Sequence, residues 1–167
     1  MNYSLSGQDI MKLMKDKTKI ISYKEINKFK SIDELLYPFN SVFILYESKK
    51  NSGHWTVLFK LHKKEIEFFD SYGLNIDDEL KFINKEFRKN SNQLKTLLTR
   101  LLLKDFNKYI IHYNNYQFQK FNSNIATCGR WCIFRLLNKK LYINEFYNKI
   151  CNIQLDKDYL VCQFIEI

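Results

Sequence analysis

Three apolar-rich runs follow one another closely along the chain: SVFILYE at 41–47, HWTVLFK at 54–60 and EIEFFDS at 65–71. Their length and their β-branched and aromatic content read as strands, and the short connections rich in Gly, Asn and Lys make them an antiparallel meander. From Asp77 the spacing turns helical. DDELKFINKEFRK carries Leu80, Ile83 and Phe87 on one face, and NQLKTLLTRLLL supplies a second helix. KYIIHYN at 108–114 returns to strand character. The stretch from Cys128 to Asn138 is apolar on almost every side, which predicts a central, buried helix. YINEFYNKICNI is an amphipathic helix, and the terminal YLVCQFIEI fits either helix or strand. Nearer the start, Ser6 with Asp9 forms a capping box for a short helix through Met14, and Ser31 with Glu34 caps a one-turn helix ended by Pro38. KIISYKEI reads as an edge strand or a loop.

No repeat or linker interrupts this pattern, so residues 1–167 are expected to form one α+β domain with a mixed or antiparallel sheet packed by helices. Hydrophobic residues make up 46% of the chain and aromatics 16%, enough for a packed core and too many for a disordered segment. The apolar runs are too short to span a bilayer, and the first residues carry no signal-peptide pattern. The expectation is a protein without a membrane partner in a reducing compartment, with its four cysteines as free thiols. The formal charge of +9 favours polyanions. It is spread in scattered lysine pairs, however, within a composition rich in Lys, Asn and Ile that points to AT-rich coding rather than to a dedicated nucleic-acid surface.

The candidate chemistry starts at Cys128 in NIATCGRWC. Thr127 is placed to cap the helix, which makes Cys128 its first residue, where unpaired N–H groups and the helix dipole stabilise a thiolate. Gly129 carries no side chain to obstruct a substrate backbone, and the amides here suit a tetrahedral oxyanion. Cys128 also fits two other readings: a small core residue, or a metal or disulfide pair with Cys132 one turn away. A zinc site lacks a second Cys/His pair at suitable spacing, so no metal is expected. Core packing accounts for Cys132, Cys151 and Cys162. Of the three histidines, His62 and His112 look solvated or structural. His54 follows Gly53 at the mouth of a strand, with Trp55 beside it to limit water. Pairing the 54–60 and 65–71 strands around a loop centred on His62 puts His54 directly opposite Asp70, with Cβ atoms about 4.5–5.5 Å apart. Asp70 could then orient the imidazole, or simply open the turn SYG as an Asx residue. Gln117 and Gln119 in YQFQKF are both candidates for an oxyanion donor.

The order GHW, FFDSYG, Gln and TCGRWC resembles the adenain-like (adenovirus-type) cysteine proteases, which are related to the ubiquitin-like-protein-specific proteases. The similarity is greatest to the maturation proteases of virophages and large DNA viruses. It spans about residues 5–150 and is densest at 42–73 and 116–137. The resemblance implies Cys128 as nucleophile, His54 as general base, Asp70 as the residue orienting it, and Gln119 (with Gln117 as alternative) completing the oxyanion hole. Trp55 and Gly129 would flank the substrate. Gln119 stands nine positions before Cys128, a longer spacing than related proteases commonly have. By the same resemblance the substrate is a viral capsid or core precursor cut after small, Gly-type residues. The enzyme would act as a monomer in the virion and the cytoplasmic viral factory, without a required cofactor and with DNA or a peptide as candidate activator. Two rivals stand beside this reading: a protease that deconjugates ubiquitin-like proteins, and a non-catalytic basic nucleic-acid-binding module.

Overall fold

The computed structural model describes residues 4–122 and 124–167. Five strands form one sheet in sequential order: β1 (Lys19–Ser22), β2 (Ser41–Lys49), β3 (Ser52–His62), β4 (Glu65–Phe69) and β5 (Ile110–Tyr113). β2, β3 and β4 are the expected antiparallel meander, and β1 and β5 add parallel edges. The segment left open between edge strand and loop is thus β1, followed by a 3₁₀ turn at Tyr23–Lys28.

Alternation along the strands divides the interior in two, because successive side chains point to opposite faces. Phe43, Leu45, Trp55, Val57, Phe59 and Phe69 pack on one face against α5 (Cys128–Leu137), α6 (Ile143–Cys151) and α7 (Lys157–Phe164). Val42, Ile44, Tyr46, Leu58, Ile66 and Phe68 pack on the other, against α2 (Ile32–Leu36) and α4 (Leu97–Lys104). The fold is α+β, as the pattern predicts.

Local signals explain most element ends. Ser6 and Asp9 close a capping box at the start of α1 (Gly7–Leu13), and Ser31 Oγ accepts from Glu34 N–H to start α2. The helix expected from Asp77 is broken into a 3₁₀ turn, Asp78–Phe82, and α3 (Lys85–Asn90). Asp77 precedes it in the left-handed region, φ 66°, and accepts from Tyr23, Tyr46 and Thr99. That network fixes a corner an uninterrupted helix would have to cross. The ambiguous C-terminal segment is helical: Asp156 caps α7 by accepting from the Asp158 and Tyr159 amides.

The central helix carries two arginines that its apolar pattern conceals. Arg135 is fully buried and makes a two-pronged pair with Glu67 of β4, both N···O distances 2.8 Å. Its remaining N–H groups donate to the carbonyls of Asn138 and Leu141, so the far end of α5 is tied to the sheet. Arg130 donates to the carbonyl of Ile165 just beyond α7, which gives that charge a partner and anchors the C-terminal segment. Among the described residues no helix is long and apolar enough to cross a membrane.

Candidate active site

The N-terminus of α5 meets the start of β3. Trp55 holds the two elements together with its own backbone: its N–H points at Cys128 Sγ (3.5 Å), and its carbonyl accepts from the Cys132 thiol at 3.4 Å. The Trp55 indole N–H donates to Leu5 O (2.9 Å), drawing the N-terminal segment across the same junction. Thr127 takes the cap position but does not cap with its side chain; its hydroxyl donates instead to buried Asp158 on α7.

His54 lies one residue before Trp55 and is buried. Its Nε2 is 3.0 Å from Asp70 Oδ1, and Cys128 is near enough for its sulfur to bear on the ionisation of the ring. Burial on its own would lower the His54 pKa, but the charge and hydrogen bond of Asp70, helped by Cys128, hold it well above the ordinary histidine value. Tyr72 stacks on the imidazole at 4.5 Å and Phe121 stacks on Tyr72 at 4.4 Å, covering the ring.

The strand register differs from the one expected. Val57 faces Phe69 and Leu58 faces Phe68, so extending the ladder puts Thr56, not His54, across from Asp70. The connection is a tight turn at Lys63–Lys64 with a bulge between Lys60 and His62, rather than a loop centred on His62. A shift of two residues preserves the face. His54 and Asp70 therefore meet diagonally instead of directly, just past the end of β4. Asp70 Oδ1 also accepts from the Tyr72 amide at 2.8 Å, so one oxygen makes both the Asx-turn contact and the contact with the ring.

The two glutamines separate. Gln117 is exposed and its amide donates to Gln119 O. Gln119 is buried, accepts from Ser71 Oγ (2.8 Å), and donates to Ile125 O (3.0 Å) and Tyr72 OH (3.3 Å). Gln119 is thus the one joined, through Tyr72, to the His54 stack. The loop 120–126 between it and Cys128 includes Ser123, which lies outside the described residues.

Gly129 serves a different purpose from the one expected. A Cβ there would come within 3.2 Å of Leu5 Cβ and 3.3 Å of Trp55 Cδ1. Its missing side chain admits the N-terminal segment and the indole, and Gly129 itself is buried. Gly53 is set just as tightly, since a Cβ there would lie 1.9 Å from Tyr46 O. A groove of about 1700 Å³ runs past Leu5, Gly7, Gly53, Trp55 and Ala126 to Cys128, giving the sulfur a route to solvent. Lysines and carboxylates both line it: Lys12, Lys24, Lys28, Lys89 and Lys95 with Asp9, Asp16, Glu25 and Glu47.

The other cysteines and histidines fall into place. Cys132 is buried and Cys162 packs partly against the core, but Cys151 is exposed on α6, contrary to the core role expected of it. All four are free thiols. His62 is exposed, and His112 pairs with Glu65 at 3.0 Å. One neighbour of the site had no signal in the sequence. Glu79 brings a carboxylate oxygen within 4.8 Å of ligand atoms of both His54 and Asp70, the one grouping of metal-ligand type found among the described residues.

No family model matches the sequence. The fold is similar to the solved ASFV pS273R protease, with a TM-score of 0.52 and 14% identity over 99% of this chain and 68% of that one. The sequence is 45% identical over 143 residues to "Uncharacterized protein V9" of Sputnik virophage, covering 86% of this chain and 81% of the relative. The chain belongs to the family of that virophage protein.

Proposed function

We propose that this protein is a viral cysteine endopeptidase that works through Cys128, His54 and Asp70. The observation that carries the reading is the convergence of three elements at one point. A cysteine opens a buried helix, the backbone N–H next to a buried histidine points at its sulfur, and that histidine's Nε2 lies 3.0 Å from a carboxylate. The fold shared with the ASFV pS273R protease supports it.

The chemistry follows from the placement. The Cys128 thiolate attacks a peptide carbonyl, and the helix-start amide with the Gln119 side chain stabilises the oxyanion. For this Gln119 must release one of its present acceptors, Ile125 O or Tyr72 OH. His54, as imidazolium, gives its Nδ1 proton to the leaving amine. As neutral imidazole it then takes a proton from the water that resolves the acyl-enzyme. Substrates are capsid or core precursor segments with small residues at the cut. The mixed charge of the groove favours an extended peptide over a polyanion as its occupant.

The test is cleavage of the virus's capsid precursors by purified protein, followed by sequencing of the new termini. Activity lost in Cys128→Ala and His54→Ala, with circular dichroism retained, is the expected result. Cleavage by both variants would sink the assignment. Preference for a Gly-Gly conjugate of a ubiquitin-like protein over capsid precursor would move the substrate to deconjugation.

A further inference from the structure

Asp70 is 1% exposed and uses only half of its carboxylate. Oδ1 bonds His54 and the Tyr72 amide, while Oδ2 is buried without a hydrogen-bond partner among the described residues. An orphaned carboxylate oxygen is costly away from water, and an Asp free to rotate would loosen its hold on the imidazole. Glu79, on the 3₁₀ turn Asp78–Phe82, is half-buried and brings a carboxylate oxygen within 4.8 Å of the His54 and Asp70 ligand atoms.

We propose that Glu79 is a positioning residue for the His54–Asp70 pair: as a neutral carboxylic acid it donates its O–H to Asp70 Oδ2 and locks Oδ1 on the imidazole. Two carboxylates this close in a buried site do not both ionise readily, and a shared proton turns their repulsion into a hydrogen bond. The titratable groups facing Glu79 are His54 from β3 and Asp70 and Tyr72 from the turn after β4. On its own turn, Asp78 and Lys81 pair with each other at the surface. Burial raises the Glu79 pKa, His54 opposes this, and Asp70 adds to it, bringing the group to about 7. The lock is therefore closed below neutrality and opens as pH rises through that value, when Glu79 ionises beside Asp70.

This inference rests on the protease reading for its consequence, so its test uses readouts that need no substrate. The ¹⁵N shifts of the His54 ring are followed against pH in the wild type, Glu79→Gln and Glu79→Leu, together with the rate of Cys128 alkylation by iodoacetamide. The wild type should have an inflection near pH 7 in the His54 shifts that Glu79→Gln removes. At pH 6, Glu79→Leu should slow alkylation about tenfold, the worth of a hydrogen bond to a charged group, and Glu79→Gln should restore it by donating an N–H in place of the O–H. Persistence of the inflection in Glu79→Gln, or equal alkylation in all three proteins, overturns the proposal. So does tight Zn²⁺ binding to the wild type that Glu79→Gln abolishes. Failure of the protease reading looks different: Cys128 would then alkylate no faster than Cys151 in any of the proteins.

Discussion

His54 Nε2 and Asp70 Oδ1 are 3.0 Å apart although the two residues are not opposite each other in the β3–β4 ladder. The contact exists because Asp70 lies just past the end of β4, where a turn replaces pairing and its side chain reaches diagonally to the ring.

Asp70→Asn removes the larger part of what raises the His54 pKa, leaving Cys128 alone against the burial that lowers it. The imidazolium form should then be lost at lower pH than in the wild type. The alkaline limb of the kcat/KM profile moves toward acid, and kcat falls by at least about a hundredfold. Stability follows the same sign. The native pKa is raised, so the pair stabilises fully below the unfolded value near 6.5 and loses this as pH rises through the folded one. Urea titrations at pH 6 and at alkaline pH should show the wild type losing more stability than Asp70→Asn, and equal losses would contradict the pairing.

Gly53→Ala tests the entry to β3. The added methyl would fall 1.9 Å from Tyr46 O and 2.8 Å from Glu47 Cα, both backbone atoms, and Tyr46 is the ladder partner of His54. The hairpin must open at the residue that aims the imidazole. A loss of about 2 kcal/mol or more is expected by thermal melting, together with loss of cleavage. A variant with normal melting and activity would mean the strands can part there freely.

The four thiols should separate by reactivity. Cys128 sits beside an imidazole at a helix start and is expected to alkylate fastest; exposed Cys151 comes next. Burial, with the neighbouring Cys128 and Asp70 charges, pushes the Cys132 thiol well up, and it should stay unmodified until the protein unfolds. Peptide mapping after a timed iodoacetamide pulse gives the order directly.

Breaking the Glu67–Arg135 pair should be expensive. Glu67→Ala leaves a fully buried guanidinium with two carbonyl acceptors and no counter-charge, for a loss of about 3–5 kcal/mol in denaturant unfolding. Replacing both residues with apolar ones of similar volume should cost much less, and an equal cost would argue against an uncompensated charge as the cause.

Much of this was legible in the chain. Alternation in 41–71 gave the three-stranded meander, and Gly-His-Trp before an apolar strand marked His54. The error in register did no harm, because a two-residue slip leaves each side chain on its own face. What stayed hidden were pairings between distant residues. Glu67 interrupts EIEFF and Arg135 interrupts IFRLL, yet neither segment says that the two charges meet inside. Glu79 reads as an ordinary residue of an acidic helix start, since its role depends on a corner built by Asp77, Tyr23 and Tyr46. Thr127 was placed rightly at the cap, but its hydroxyl partner lies 31 positions away, on a segment whose periodicity did not choose between helix and strand.

That partner, Asp158, carries the last prediction. One oxygen accepts from Thr127 Oγ1 and from Trp131 Nε1 (3.1 Å), and the other accepts from the Lys120 amide (3.1 Å). A single buried carboxylate thus ties the residue before Cys128 to the residue after Gln119, setting the distance between Cys128 and Gln119 from behind. All its partners are donors. Asp158→Asn can satisfy only one side, because its NH₂ must face a donor on the other, and a buried unmatched donor costs about 1–3 kcal/mol. Alkylation of Cys128, which senses only the thiol and His54, should change little. The value of kcat should fall about tenfold or more as the Gln119 segment drifts, while KM moves less. Wild-type kcat in a folded Asp158→Asn would show that the oxyanion geometry is set elsewhere.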